Sequence, residues 1–264
     1  MTVDLSLWES INPASLFAAV AEEDNRRFVV NVMKTLTPDP VWTEQIVTMV
    51  ESGQIETRCF VSWLSLELQP KTYLEVGVRR GFSMAMVASR APRADIYAFD
   101  MWVTDYGDVG NLGLGFVQSE MEKIGYARKL HFVNGSSHRT LPAFFGSKKA
   151  SLWKRAELRW RLGQRPSIFD LITIDGDHSL LGAYQDLLDA MPHCGVGGVV
   201  VFDDIAPDYS TLDPAVVKAE RGSDPYGWQD LLGVWHAVQE KFSNFRYFEY
   251  TENPPGIGLA VRLR

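Results

Sequence analysis

The chain has 264 residues, 46% of them hydrophobic and 22% charged, which suits one large globular unit that needs no disulfide or structural metal to fold. Its two cysteines, Cys59 and Cys194, show no spacing typical of a zinc site or a redox motif, and such sparse use favours a reducing compartment. The net charge of −7 is not the basic field that a general nucleic-acid-binding protein carries.

The N-terminal segment carries acidic residues and no basic region, so it predicts no signal peptide. No window approaches the run of about 18 apolar residues that a membrane-spanning helix needs. We therefore expect a cytoplasmic protein that binds neither membranes nor nucleic acid. Segment 148–165, which is rich in lysine and arginine, is a local exception. It fits either a solvated helix face or a surface that binds an anion or another subunit.

Residues 1–70 predict a helical extension. Apolar residues recur at helical spacing over residues 15–30, 40–53 and 58–68, and Pro70 ends the pattern. These helices suit a lid or a contact between subunits, and we expect a homo-oligomer.

Residues 71–264 predict a separate α/β domain. Helical segments at 82–91 and 180–191 alternate with short apolar runs, an order typical of parallel βα units. The apolar runs cover residues 72–78, 95–101, 130–134, 169–175 and 198–204.

The end of the chain departs from that order. A helix over 228–242 precedes strands at 245–250 and 256–263, and the short gap between the strands requires an antiparallel hairpin. The predicted fold is therefore a Rossmann-like seven-stranded mixed sheet that ends in this hairpin. Segments 104–115 and 206–227 are long loops of the kind that form lids or bind substrates, the second with Tyr209, Tyr226 and Trp228 nearby.

A glycine turn and an acid follow the first two strands. Gly77 permits close approach of a ligand after the first strand, and Gly81 lets the next helix begin near that ligand. The spacing after Glu75 is E-x-G-x-x-x-G, which differs from the dinucleotide fingerprint. Asp100 ends the second strand, where an acid accepts the hydroxyls of a ribose. Trp102 lies just beyond and suits packing on an adenine face.

Carboxylates follow the fourth and fifth strands. Asp175 ends one strand, Asp203 and Asp204 end the next, and the carboxyl ends of adjacent parallel strands meet at one edge of the sheet. Clustered carboxylates repel one another unless a cation offsets them, and oxygen ligands suit Mg²⁺. Caps of helices and turns are the alternative role for these acids. His178 follows closely and is a candidate general base, or a residue that orients an aspartate.

Together these elements resemble the class I S-adenosylmethionine (SAM)-dependent methyltransferases over about residues 70–264. Glu75, Gly77 and Gly81 match the first motif of that family, and Asp100 matches its ribose-binding acid. The likeness is closest to metal-dependent bacterial O-methyltransferases of natural products and sugars (methyltransferase domain 24, with cephalosporin hydroxylase-like proteins), through segments 174–178 and 233–237. The cofactor-lining residues that the resemblance implies are Glu75, Gly77, Gly81, Ser83, Asp100, Met101, Trp102, Gly135, Ser136, Ser137 and Asp175.

The resemblance implies methyl transfer from SAM to a hydroxyl oxygen of a small molecule, with Mg²⁺ held by Asp175, Asp203 and Asp204. His178 and Asp175 are the implied catalytic residues. The catechol-type relatives have asparagine where this chain has Asp204, which adds a negative charge. Three alternatives stay open: a metal-independent methyltransferase acting on oxygen or nitrogen, a catalytically inactive SAM-binding protein, and a nicotinamide dehydrogenase. The glycine spacing and the terminal hairpin disfavour the last.

Overall fold

The structure is a computed structural model that describes residues 5–36, 40–103, 112–206, 231–253 and 256–264. The helices in these ranges are α1 (Ser6–Ser10), α2 (Pro13–Val20), α3 (Glu23–Thr35), α4 (Pro40–Glu51), α5 (Thr57–Leu68), α6 (Phe82–Arg90), α7 (Gly113–Lys123), α8 (Ser137–Phe144), α9 (Leu152–Leu162), α10 (Leu180–Ala190) and α11 (Leu231–Lys241). The strands are β1 (Thr72–Val76), β2 (Asp95–Asp100), β3 (Leu130–Asn134), β4 (Phe169–Ile174), β5 (Cys194–Asp203), β6 (Phe245–Tyr250) and β7 (Ile257–Arg262).

The strands form one mixed sheet in the order β3-β2-β1-β4-β5-β7-β6. Strands β1 to β5 pair in parallel, whereas β7 lies antiparallel to both β5 and β6. The predicted seven-stranded sheet with a terminal hairpin is therefore confirmed. The carboxyl ends of β1, β2, β4 and β5 all lie at one edge, which is where the sequence placed its candidate site residues.

Alternating side chains of each strand supply two cores, one on each face of the sheet. Tyr73 of β1 belongs to the first core and Leu74 to the second, and Leu171 and Ile172 of β4 divide in the same way. Residues of α1 to α7 complete the first core, while α8 to α11 cover the second. The sheet is thus buried on both faces, as parallel strands require.

The N-terminal helices are part of the first core. Trp8, Leu16 and Phe60 share one buried cluster with strand residues such as Leu171 and Val201. Arg246 of β6 donates hydrogen bonds to the carbonyls of Trp8 and, at 2.7 Å, of Ile11. The division into an extension (1–70) and a methyltransferase domain (71–264) stays a prediction, but the two segments pack around a common core.

The helical spacing over residues 15–30 corresponds to two helices, because α2 ends at Val20 and α3 begins at Glu23. The break is stabilised by side chains that satisfy the last carbonyls of α2. The amide of Asn25 donates to the Val20 carbonyl at 2.8 Å, and Arg26 donates to the Ala21 carbonyl at 2.9 Å.

Helices α7 and α8 were not predicted, and β5 begins at Cys194, earlier than the predicted residue 198. Within the described ranges, no helix has the length and apolar character required to cross a bilayer.

Candidate active site

The turn after β1 requires glycine at two positions. Gly77 has a φ of +83°, and a Cβ atom there would lie 1.7 Å from the carbonyl oxygen of Asp175, so any side chain would push β4 away. Gly81 has a φ of +77° at the start of α6, and a Cβ atom there would lie 2.8 Å from Val117 of α7. Ser83 is buried in the first turn of α6. These contacts fix the position of the turn relative to the end of β4.

Asp100 joins the ends of β1 and β2. Its Oδ2 accepts hydrogen bonds from the amides of Val78 at 2.8 Å and Arg79 at 2.9 Å, and its Oδ1 accepts from the amide of Trp102 at 2.5 Å. A carboxylate has about four acceptor positions, so most of its capacity serves the backbone. The predicted ribose contact stays a prediction, and a ribose would share this carboxylate with the turn.

Trp102 packs toward the end of β3. Its ring nitrogen donates to Oδ1 of Asn134 at 3.1 Å, and its ring meets Phe132 edge-on at 5.7 Å between centroids. Met101 beside it is exposed. Gly135 donates its amide to the Asp100 carbonyl at 2.9 Å, while Ser136 and Ser137 lead into α8. The predicted cofactor-lining residues after β2 and β3 therefore adjoin one another.

Backbone strain concentrates at the same edge. Among the described non-glycine residues with positive φ, Arg79 (50°), Trp102 (57°) and Asp204 (64°) each lie just beyond β1, β2 or β5. The fourth, Gln69, ends α5. Such conformations cost roughly 1–3 kcal/mol each and cluster where function requires an exact side-chain direction. Their placement marks the strand ends as the functional edge.

Asp175, His178 and Asp204 come together at the ends of β4 and β5. The Nε2 atom of His178 lies 3.3 Å from Oδ1 of Asp175 and 2.7 Å from Oδ2 of Asp204. One ligand atom from each residue lies within 4.8 Å of the other two, which is close enough for all three to contact one cation. Among the described residues, this is the group of histidine, cysteine and acidic side chains whose geometry suits a metal ion.

Asp203 is not part of this group, although the sequence placed it among the metal ligands. Its Oδ1 accepts the amide hydrogen of Asp204 at 2.9 Å, and its side chain is buried. Burial, together with the charges of Asp204 and Asp175, raises the pKa of Asp203 well above its usual range. Because successive side chains of a strand point to opposite faces, and Asp204 adopts a left-handed conformation, the two aspartates point in different directions.

The sequence profile of a protein family described as a methyltransferase domain matches residues 74–205, which make up half of the chain. The chain belongs to this family. It is thus a class I SAM-dependent methyltransferase, as the resemblance predicted. No curated protein matches it in sequence.

Several solved structures share the fold of this methyltransferase. A candidate caffeoyl-CoA O-methyltransferase from Staphylococcus aureus is 10% identical, with 91% of this chain and 100% of that chain covered and a TM-score of 0.54. The SAH-bound methyltransferase PaMTH1 from Podospora anserina is 14% identical, with coverages of 96% and 98% and a TM-score of 0.53. A candidate O-methyltransferase from Nostoc punctiforme is 16% identical, with a TM-score of 0.52, and the matched 76% of this chain spans only 54% of that protein.

Residues at the start of α5, which the sequence analysis missed, lie near the same acidic edge. Arg58 forms an ion pair with the buried Glu56, whose side chain also accepts the Arg58 amide at 3.1 Å. Burial alone would lower the pKa of Arg58, but the charges of Glu56, Asp203 and Asp175 raise it overall. Thr57, which is also buried, lies near Asp203. The sequence feature that could have drawn attention to these residues is a Glu-Thr-Arg sequence at the start of an otherwise apolar helix. No local pattern, however, shows what that helix contacts.

Glu75 lies beneath the turn in the methyltransferase core. Its Oε2 accepts a hydrogen bond from the Tyr73 hydroxyl at 2.9 Å. The oxygen of that hydroxyl also lies 2.9 Å from the Thr173 hydroxyl. Burial raises the pKa of Glu75 well above its usual range, and repulsion from Asp175 and Asp100 adds to this shift. The acid therefore contributes to a local excess of carboxyl groups.

A second acidic cluster lies between the start of α8 and the end of β4. The Nε2 atom of His138 is 3.5 Å from Asp177 and 3.6 Å from Asp186. Burial raises the pKa of Asp186 to about 7, and Ser137 and His138 partly oppose that shift. The predicted lid residues Tyr209, Tyr226 and Trp228 lie outside the described residues, as do residues 104–111 of the other predicted loop.

Proposed function

We propose that this methyltransferase moves the methyl group of SAM to a hydroxyl oxygen of a small molecule, with a divalent cation held by Asp175 and Asp204. The single observation that carries the proposal is the convergence of these carboxylates with His178 at the ends of β4 and β5. In this fold, ligands bind at the carboxyl ends of the strands, so the group would face the cofactor.

The chemistry of the donor set fits Mg²⁺. Two carboxylates from neighbouring strands offer the oxygen ligands that Mg²⁺ prefers, and His178 adds a nitrogen beside them. Burial raises the pKa of Asp203, and the nearby charges of Asp204 and Asp175, which a cation would offset, add to this shift. When bound, such an ion would favour the ionised form of an acceptor hydroxyl. Asp203, which lies behind Asp204 and bonds to its amide, would hold that residue in position.

His178 is the residue that we propose accepts the proton. In the reaction, the acceptor oxygen forms a bond to the methyl carbon while the carbon–sulfur bond breaks, and its electron pair stays on sulfur. Because Nε2 of His178 faces Asp175 and Asp204, the hydroxyl proton would pass to Nδ1, and the ordinary imidazole pKa near 6.5 suits a base at neutral pH. Asp175 and Asp204 contact the imidazole and would orient it. Most of the rate advantage would come from alignment of the acceptor with the sulfonium methyl group.

The metal role is tested by titrating Mn²⁺ into the wild type and the variants Asp175→Asn and Asp204→Asn by calorimetry. We expect each variant to lose at least about tenfold in Mn²⁺ affinity. Asp95→Asn is the matched control, because Asp95 lies at the opposite end of β2 in an exposed pair with Arg128. EDTA should abolish turnover while S-adenosylhomocysteine binding persists. Full activity in EDTA, with no Mn²⁺ binding, would exclude the metal.

A second candidate, metal-independent transfer to oxygen or nitrogen, is favoured by the 2.7 Å contact between His178 and Asp204. A histidine held by a carboxylate is a common arrangement of a general base. In that case EDTA would leave turnover intact, but His178→Gln would remove most of it. We further propose that residues 206–227 form a lid over the acceptor. We also propose that residues 1–70 are a helical extension and that the protein forms a homo-oligomer.

A further inference from the structure

Helix α9 exposes two tryptophans, which is unusual for aromatic side chains of this size. Trp153 is 88% exposed and Trp160 is 87% exposed. They are seven residues apart, so they lie on the same side of the helix. Leu152, at 76% exposure, extends the apolar surface at the start of α9.

The opposite side of α9 is its attachment to the protein. Leu158 is the buried residue of this helix and belongs to the second core. Arg161 also reaches back, donating to the Phe132 carbonyl at 3.0 Å. Helix α9 is therefore held on the protein by one side, and its two tryptophans point outward.

The segment that carries these tryptophans is rich in basic residues, of which Lys148, Lys149 and Arg159 are exposed beside them. Only one acid, Glu157, lies within segment 148–165, at 2.9 Å from Lys154 and 4.0 Å from Arg161. A concave surface at the end of the helix is lined by Arg159, Gly163, Gln164 and Arg165. The seven basic residues of the segment are Lys148, Lys149, Lys154, Arg155, Arg159, Arg161 and Arg165.

We propose that α9 docks onto the surface of a membrane that contains anionic phospholipids. Tryptophan is enriched at membrane–water interfaces, where its ring sits at the level of the headgroups. Lysine and arginine near such a surface each add attraction to anionic lipids. Exposed tryptophans within a basic segment therefore match the chemistry of this surface, and such peripheral contact needs no membrane-spanning segment.

The expectation that the protein binds no membrane rested on the lack of a spanning segment, which does not bear on peripheral contact. The net charge of −7 does not oppose such contact either. The Debye length is about 8 Å at physiological ionic strength, so a membrane surface interacts mainly with the charges nearest to it. With the tryptophans facing the membrane, Glu157 lies on the same side of α9 and is paired with Lys154. The exposed Lys148, Lys149 and Arg159 flank this side, so basic charge remains in excess there. Attraction should thus depend on this segment and weaken steeply with salt.

A second copy of the chain fits the same surface less well. In a twofold contact the same patch lies on both subunits, so one basic α9 would face another. The exposed Lys149 and Arg159 would then repel their counterparts. Charge complementarity therefore favours an anionic surface over self-association.

The test is co-sedimentation of the full chain with large vesicles of phosphatidylcholine, with or without phosphatidylserine. We expect binding to the phosphatidylserine vesicles at about 0.1 M salt and release at about 1 M. Trp153→Ser with Trp160→Ser should lower the partition coefficient by about tenfold or more. Lys149→Gln with Arg159→Gln, which removes two exposed charges, should lower it by about tenfold. Leu66→Ser, an exposed apolar residue on α5, is the matched control and should bind as the wild type does.

Three results would overturn the proposal. The first is that the wild type does not sediment with phosphatidylserine vesicles at low salt. The second is that the tryptophan variant binds these vesicles as well as the wild type does. The third is that sedimentation velocity shows a dimer that the tryptophan variant no longer forms, which would make α9 a contact between subunits. Circular dichroism of each variant checks that the fold is intact, which the exposure of these side chains leads us to expect.

Discussion

Replacing Arg58 with methionine tests whether the start of α5 holds the acidic edge together. Glu56 is 1% exposed and the Arg58 side chain 14%, so removing the guanidinium leaves a buried carboxylate without its ion-pair partner and takes a counter-charge from Asp203. Breaking a buried pair in this way costs about 3–5 kcal/mol. Because a domain is stable by only about 5–15 kcal/mol, we expect a large fall in the free energy of unfolding.

Urea denaturation of a double-mutant cycle gives the measurement. The variant Glu56→Gln with Arg58→Met should be more stable than the sum of the two single changes predicts, by about 0.5–3 kcal/mol, because the second change removes the orphaned charge. It should remain less stable than the wild type, since Asp203 still lacks its counter-charge. Arg27→Met is the control, because Arg27 pairs with Asp24 at the surface and should cost under about 1 kcal/mol.

The reasoning fails if Arg58→Met costs no more than Arg27→Met. Such a result would mean that water screens the pair despite its burial, and that Asp203 needs no counter-charge. A loss of stability without coupling in the cycle would also contradict it, because the loss would then come from packing of the arginine stem alone.

Two further predictions concern the neighbouring acids. Asp100→Asn should weaken S-adenosylhomocysteine binding by at least about tenfold in calorimetry, because an amide group cannot accept all the backbone hydrogen bonds that the carboxylate accepts now; unchanged affinity would contradict this. For Asp186, burial raises the pKa from 3.8 to about 7, so the folded state holds a proton that the unfolded state has released between these values. The free energy of unfolding should therefore fall as pH rises through that window, and Asp186→Asn should flatten the fall in urea titrations at several pH values; equal pH profiles would refute the shift.

The sheet could be predicted because its strands carry local signals. Short apolar runs such as residues 72–78 and 169–175 are buried on both faces, so their composition alone identifies them. Helix α8 escaped prediction because its first residues are polar and Pro142 lies inside it. Strand β5 was predicted too short because three glycines follow Cys194, and glycine weakens the strand signal.

The candidate site could be predicted only where the chain order determines it. Asp175 and Asp204 meet because adjacent parallel strands end at the same edge of the sheet. The sequence predicted that Asp203 would join these two acids, but in the structure His178 takes that place. The difference depends on the left-handed backbone of Asp204, which no residue pattern marks. Arg58 reaches the same edge through the packing of α5 on the sheet, a long-range contact that sequence spacing does not encode.

The charge at this edge explains why the N-terminal helices and the α/β core belong together. Glu75, Asp175, Asp203 and Asp204 all lie at or beneath the ends of β1, β4 and β5, and mutual repulsion helps to raise the pKa of Glu75 and Asp203. An excess of carboxylates suits a cationic sulfonium and a divalent ion, but it is unfavourable while both are absent. Arg58 supplies a positive charge that does not depend on any ligand. The N-terminal segment therefore contributes to this acidic edge itself, through one side chain whose charge lets the acids stay close together.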